Sequence, residues 1–399
     1  MLASPLLFAL GVGLVVTLLA RVGALRALEA QPALVLGGGV LLGMGLRLIS
    51  APEAGPDAVR EAARLGLALL AFTGAQQCRL SRVARTSPAA LRLAALAAPG
   101  LIAVTAAAVF ALKPDLGLWS ALLVGVALPL GIGAFDERAA LGAPLAAETK
   151  RAVRVDAGLS VALGVPLAVL IEAVSIAPPA EADITRMSGF GLFAGAAVGG
   201  TIGLLAGRLV PVRGGGVPAA PFAAFALAYG LAYALGFDAV MAGAAAGLLY
   251  SEEAPLPGPA RSRLFSAGAR WCGPPAFFGL GLLMGPVALD ADLLVWLAAL
   301  VPVLALRVAL RGAALGGADL PSADRGFLAW FGGGPGAGAA LFVLALLGSP
   351  SSAAQPDVLV IAALATAAGL IAARLGSGPL VTRQVRAAAR ARRKRYGAA

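Results

Sequence analysis

The sequence predicts an all-α polytopic membrane protein with about thirteen transmembrane helices. Hydrophobic residues make up 60% of the 399 residues and charged residues only 13%, and the mean hydropathy is +0.90. A soluble domain of this size does not require so much apolar sequence. The charged residues also collect between apolar runs that are each long enough to cross a bilayer. These two observations define the fold class.

The predicted transmembrane segments follow one another with short, Gly- and Pro-rich connections. Their approximate extents are 4–20, 31–50, 60–78, 91–112, 116–135, 152–175, 189–209, 217–235, 238–250, 264–288, 290–311, 326–348 and 357–375. The first begins without a preceding basic region or a cleavage site, so we expect a retained helix. The ninth is short, and the sequence does not define its boundary with the eighth.

The distribution of cations between the segments predicts the orientation of the chain. Lys and Arg concentrate on alternate loops, as the positive-inside rule requires for cytoplasmic loops. The second loop is the exception, because Arg47, Arg60 and Arg64 mix there with Glu53 and Asp57. The alternation predicts a multi-pass protein of the cell inner (plasma) membrane with its N-terminus outside and its C-terminus in the cytoplasm. The cationic loops contain Arg21, Arg26, Arg79, Arg82, Arg85, Arg138, Lys150, Arg151, Arg208, Arg213, Arg261, Arg263, Arg311 and Arg325.

The sequence predicts two parts, a transmembrane domain over residues 1–380 and a basic cytoplasmic tail over 381–399. The tail is expected to lie against anionic membrane lipid, with a regulatory site there as the alternative. The net charge of +11 is explained by the loops and this tail, and we expect no nucleic-acid partner. With no histidine and only Cys78 and Cys272, the chain offers no cofactor or metal-ligand spacing.

Two of the apolar segments contain helix-breaking residues. The first has Pro129, Gly131 and Gly133, and about 210 residues later the second has Gly333, Gly334 and Pro335 among further glycines. Broken segments at corresponding places in two halves are typical of transporters built from inverted repeats, whose site lies where the two unwound helices cross. The alternative is that these glycines only form a helix-packing surface.

Carboxylates stand beside the first break. Asp136 directly follows it, and Asp156 precedes the next apolar run. Because a carboxylate inside a bilayer is unfavourable, these two residues predict an ion or proton site. The alternative is that they cap helices at the cytoplasmic surface. Ser160 shares a helix face with Asp156, one turn later, and offers a neutral oxygen ligand, whereas Val161 lies off that face and offers none.

Several stretches, in order, resemble the monovalent cation:proton antiporter superfamily and its Na+/H+ exchanger branch. FDERAAL at 135–141 is similar to the Thr-Asp-Pro segment of the family's first unwound helix, with Asp136 on the aspartate. Residues 148–167, ETKRAVRVDAGLSVALGVPL, resemble the segment that leads into the family's ion-binding helix. Residues 327–342, FLAWFGGGPGAGAALF, resemble the family's Trp-Phe-Gly-Pro-Arg-Gly segment. LGLALLAFTGAQQCRL at 65–80 looks like the third helix, and LGFDAVMAGAAAGLLYS at 235–251 and the Arg307 helix follow in family order.

The resemblance implies a six-helix core that moves against a dimer-facing bundle, and exchange of Na+ or K+ for H+. The sequence departs from the family at its ion site. Asp156 falls on the family's glutamate, but Ser160 and Val161 fall on its Asn-Asp pair, so the usual cation-binding aspartate is missing. Phe135 replaces a threonine and Gln76 a glutamate. The arginine of the second break is lost as well, because Gly333 and Gly334 stand near the usual Pro-Arg.

The predicted ion- and proton-binding residues are therefore Asp136, Asp156, Ser160 and Gln76. Arg307 is expected either to compensate charge at the crossing or to extend to the cytoplasmic interface. Three functions remain open: a cation:proton antiporter with a relocated carboxylate, a transporter-like protein that has lost exchange, and, least supported, a membrane-embedded enzyme. The first is preferred, because two broken helices and two carboxylates are present. A homodimer is expected from the resemblance alone.

Overall fold

The computed structural model of the chain describes residues 32–49, 56–77, 79–131, 145–175, 189–209, 219–254, 258–287, 291–331, 336–347 and 357–372, together with 256, 349 and 386. Every regular element in these residues is a helix. In a bilayer this is expected, because a helix pairs its own backbone polar groups where no water is present to do so. The all-α prediction is confirmed.

The helices correspond to the predicted segments from the second onward, with two exceptions. The helices are α1 Pro32–Ile49, α2 Pro56–Ala75, α3 Leu80–Thr86, α4 Pro88–Leu112, α5 Gly117–Ala127, α6 Ala147–Ser175, α7 Gly189–Leu209, α8 Ala219–Ala234, α9 Ala239–Glu253, α10 Gly258–Val287, α11 Leu293–Ala314, α12 Ser322–Phe331, α13 Ala337–Ala345 and α14 Asp357–Ala372. The short α3 was not predicted, and α12 and α13 share one predicted segment. The first segment lies outside the described residues. By length and composition, α4, α6, α7 and α11 are each able to cross a membrane.

The boundary that the sequence left open, between α8 and α9, is a tight turn. Gly236 has a φ of 74°, a left-handed conformation that glycine adopts without steric penalty. Asp238 then caps α9, because its carboxylate accepts a hydrogen bond from the backbone N–H of Met241 at 2.7 Å. The two short segments are therefore separate helices joined by a hairpin.

The helices pack as two bundles. We assign α1, α2, α7, α8, α9 and α10 to the first bundle and α4, α5, α6, α11 and α12 to the second; α6 contacts α4, α5 and α12 of the second, although its most extensive contact is with α2 of the first. Helix α6 of the second bundle packs on α2 and α9 of the first, and α13 lies against α2 and α10 while its first residues meet the end of α5. The boundary between the bundles is thus formed mainly by α2, α6, α9 and α13.

Lys113 joins the ends of three helices at one edge of the second bundle. Its ammonium group lies 2.9 Å from Asp292, which caps α11, and 3.2 Å from Asp357 at the start of α14. The hydrogen bond from the Val295 N–H and then that from Lys113 lower the pKa of Asp292, and the bond to Asp292 raises the pKa of Lys113. The stabilisation from Asp292 is therefore present at neutral pH and is lost as the pH falls through the lowered pKa.

Helices α7 and α9 approach each other through glycines spaced four residues apart. Gly195, Gly199 and Gly203 of α7 lie against backbone atoms of Asp238, Ala242 and Ala246. At each glycine a Cβ would overlap a carbonyl oxygen of the other chain segment. Small residues on one helix face allow this close backbone contact, which is a common way to pack helices in lipid.

We predict that Gly199→Ala destabilises the protein by about 1–3 kcal/mol, because the added methyl group must push α7 away from α9. Gly230→Ala is the matched control, since nothing lies within 4 Å of a Cβ built at Gly230 of α8. Thermal unfolding in detergent, monitored by size-exclusion chromatography, measures the stability of both variants. Equal melting temperatures for the two variants would show that the α7–α9 contact is not tight.

Candidate functional site

The two predicted helix breaks meet. After α5 the chain turns at Leu128 and Pro129, and the carbonyl oxygen of Leu130 accepts hydrogen bonds from the N–H groups of Gly336, at 3.3 Å, and Ala339, at 3.0 Å. Leu130 thus occupies the N-terminus of α13, whose first N–H groups have no partner within their own helix. The crossing of two unwound helices is confirmed by these contacts. The other residues that were predicted to break the helices lie outside the described residues, namely Gly133, Gly333, Gly334 and Pro335. Asp136 lies outside them as well.

Small residues bring the crossing close to α6. A Cβ at Gly338 would lie 3.0 Å from the Leu130 carbonyl oxygen, and one at Gly164 would lie 2.7 Å from the Leu130 side chain. Gly338 and Gly164 thus allow α13 and α6 to approach the break from two sides. The helix that carries Asp156 therefore passes directly beside the place where the two broken helices meet.

Asp156 is buried and forms an ion pair with Arg311 of α11. The guanidinium Nη2 donates to Asp156 Oδ2 at 2.6 Å, and both side chains are at most 4% exposed. The same guanidinium donates to the carbonyl oxygen of Leu328 in α12, from Nε at 3.3 Å and from Nη2 at 3.1 Å. Arg311 thus joins α6, α11 and α12, and it satisfies an orphan carbonyl in the last turn of α12 just before the second break.

Arg311 was not among the predicted site residues, whereas Arg307 was. The two lie one turn apart in α11, directly after a widened π turn over Pro302–Leu306. Arg307 is also buried, and its Nε lies 3.4 Å from the carbonyl oxygen of Val303. The sequence contained a signal, because arginines at i and i+4 in an apolar helix lie on one face. Arg311 was instead counted as a loop charge.

Ser160 and Gln76 direct their donors to backbone carbonyls. The Ser160 hydroxyl donates to the carbonyl oxygen of Asp156 at 2.5 Å, which leaves its own oxygen lone pairs as acceptors or ligands. The amide nitrogen of Gln76 donates to the carbonyl of Gly247 in α9 at 2.9 Å. Ser160 therefore lies one turn beyond Asp156 on α6, as the spacing predicted, while the Gln76 amide nitrogen connects α2 to another helix of the first bundle.

The missing aspartate leaves an apolar environment on α6. Val161 is fully buried and belongs to the same apolar cluster as Leu130 and Val165. It supplies no oxygen at the level of the crossing. Among the described residues, no group of three or more His, Cys, Asp or Glu could hold a metal ion. Helix α6 carries two buried carboxylates, Asp156 and Glu172, which lie eight residues before and after Gly164, and Asp156 is the one that the sequence predicted as a site residue.

Asp324 of α12 fixes the beginning of α6. Its carboxylate accepts hydrogen bonds from the Thr149 hydroxyl at 2.6 Å and from the Ala146 backbone N–H at 3.2 Å. A carboxylate at a helix N-terminus satisfies its free N–H groups and interacts favourably with the helix dipole. This cap comes from another helix, and sequence reasoning missed it because capping patterns are sought in neighbouring residues. It sets the position of α6, and with it that of Asp156.

Solved structures share this fold. The chain aligns with the structure at pH 8 of the sodium proton antiporter MjNhaP1 from Methanocaldococcus jannaschii with a TM-score of 0.65 and 16% identity, over 95% of this chain and 99% of that one. An electron-microscopy structure of the same antiporter gives a TM-score of 0.62 and 17% identity, over 95% and 98%. At this identity the likeness establishes a sodium/proton antiporter fold. No protein-family model matches the sequence, and no curated protein does either.

We predict that Asp156→Leu or Arg311→Met alone destabilises the protein by about 3–5 kcal/mol, because each leaves the opposite charge buried without its partner. The double variant is expected to recover most of this loss. Thermal unfolding of the two single variants and the double variant measures the coupling. As a control, Arg208→Met removes the exposed partner of Glu253 and should change stability little. Additive losses in the double variant would contradict the ion pair.

Proposed function

We propose that the chain is a secondary active transporter that exchanges a monovalent cation, Na+ or K+, for protons by alternating access. The observation that carries the proposal is the crossing of two helix breaks at Leu130, with a buried carboxylate on the adjacent helix α6. Unwound backbone beside a membrane-embedded carboxylate is the arrangement by which transporters bind small cations.

Exchange requires one carboxylate for which a proton and a cation compete. Arg311 occupies Oδ2 of Asp156, and the described residues donate no hydrogen bond to Oδ1. A cation that binds Oδ1, with the Ser160 oxygen one turn away, would have to weaken the bond to Arg311. Arg311 keeps a second acceptor, the Leu328 carbonyl, so it is not left without a partner during this change. Asp136 is proposed as a second carboxylate of the site.

The second candidate is a transporter-like protein that has lost exchange. Val161 favours it, because this residue is buried among apolar side chains where the resemblance places a cation-binding aspartate. The Asp156–Arg311 pair favours it as well, since a carboxylate that already has a buried counterion can serve structurally, by holding α6, α11 and α12 together. The protein would then act structurally or as a regulator, and it would not exchange ions.

Proteoliposomes with an internal pH-sensitive dye distinguish the two candidates. Pulses of Na+, K+ or Li+ should cause proton movement with the wild type, and Asp156→Asn should abolish it. Asp57→Asn is the control, because Asp57 is 79% exposed and, among the described residues, pairs with Arg60 one turn away on the same helix. A silent wild type in which Val161→Asp creates exchange would establish the second candidate. Full exchange in Asp156→Asn would rule out Asp156 as the coupling carboxylate.

A further inference from the structure

A second group of buried charges lies at the opposite end of α6. Arg64 of α2 forms an ion pair with Asp238, the residue that caps α9, and its Nη1 lies 3.6 Å from Glu172 of α6. Asp238 and Glu172 are almost fully buried, and Arg64 is mostly so. Glu172 stands about 24 Å along α6 from Asp156, at about 1.5 Å per residue. This cluster is therefore separate from the candidate ion site.

The three residues belong to different bundles. Arg64 and Asp238 are part of the first bundle, and Glu172 is part of the second. The Arg64–Asp238 bond thus lies within one bundle, whereas the Arg64–Glu172 pair crosses the boundary between the two. Arg60, one turn earlier on α2, lies 3.6 Å from Asp57 on the exposed surface. Arg64 lies 3.6 Å from Glu172 across the boundary, and the charge of Arg60 also acts favourably on the Glu172 carboxylate.

At the other end of the same helix pair, α2 and α6 touch without an ion pair. A Cβ at Gly158 would lie 2.6 Å from the carbonyl oxygen of Gly74, and one at Gly74 would lie 2.9 Å from that of Gly158. The contact is made by the backbone of the two glycines and by the Gln77 side chain, whose Cβ would lie 2.8 Å from a Cβ at Gly158. The α2–α6 boundary therefore contains an ion pair at the Glu172 end and a close glycine contact at the Gly158 end.

We propose that Glu172 and Arg64 form a latch that holds the two bundles together at the Asp238 end of the protein. Asp238 keeps Arg64 neutralised when the latch opens, because that bond does not cross the boundary. Glu172 loses its nearest counterion when α6 moves, and a buried carboxylate without a close partner is strongly unfavourable. The latch therefore favours the closed arrangement until Glu172 is neutralised or reaches water. This inference rests on the alternating access of the proposed function, taken as movement of the second bundle against the first, and it does not require ion exchange.

Distances between spin labels test the latch directly. We would place one label at Phe193→Cys in α7 of the first bundle and one at Leu293→Cys in α11 of the second, since these side chains are 73% and 72% exposed. Both positions belong to the Asp238 end, because α7 contacts Asp238 through Gly191 and Gly195, and Leu293 lies far along α11 from Arg311. Cys78 and Cys272 are replaced by alanine, and the full chain is reconstituted in lipid nanodiscs.

In double electron–electron resonance, the Glu172→Gln variant of the spin-labelled protein should show a second population with a longer distance between the labels. This population should be absent or minor in the labelled protein that keeps Glu172. Glu253→Gln is the matched control, because Glu253 pairs with Arg208 at 3.0 Å between α7 and α9, within the first bundle. It should leave the distances unchanged. An unaltered distribution in Glu172→Gln overturns the proposal.

Arg64→Lys provides a second variant if Glu172→Gln is not recovered as a folded protein. It keeps the charge beside Asp238 but lacks the guanidinium fork that can face two carboxylates at once. The same added population is expected, and an unaltered distribution again overturns the latch. The measurement does not involve ion flux, so a protein that has lost exchange would still reveal the latch, and failure of the latch would leave the exchange assay unaffected.

Discussion

The arrangement of the helices depends on the need to pair every backbone polar group away from water. Breaking a helix in a bilayer exposes N–H and C=O groups that no solvent can satisfy. Here the Leu130 carbonyl, freed by the break after α5, accepts the N–H groups of Gly336 and Ala339 at the start of α13. The polar backbone groups at each break are therefore satisfied by those at the other. Gly164 and Gly338 leave room for α6 and α13 to approach Leu130.

The Asp156–Arg311 pair lies about two turns of α6 before Gly164, the residue of α6 that contacts Leu130. Its partners lie on α11 and α12, and Val161 is buried in apolar surroundings nearer the break. One arginine therefore performs two functions, since it neutralises a buried carboxylate and satisfies the Leu328 carbonyl. If a cation competes with Arg311 for Asp156, binding would also loosen the contact between α6 and α12. Ion occupancy and helix movement would then be coupled by the same guanidinium.

Much of the fold could be predicted from the sequence, because apolar length, loop charge and helix breakers are local signals. The positions of α1 and α7 follow from them, as does the meeting of the two breaks, whereas the boundary between α8 and α9 does not. The residues of the candidate site were harder to predict from the sequence. Arg311 and Arg64 look like loop charges near the ends of segments, and their carboxylate partners are more than 100 residues away. Asp324 caps a helix from outside its own sequence, which no local pattern reveals.

The central claim is that a proton and a cation compete for Asp156, and proton release measures this without any transport. Purified protein in weakly buffered detergent solution would receive Na+ or K+ while the pH is followed. We predict a stoichiometric release of protons from the wild type that is absent in Asp156→Asn and retained in Asp57→Asn. No release from the folded wild type with either ion would contradict competition, and the Asp156–Arg311 pair would then be a structural contact.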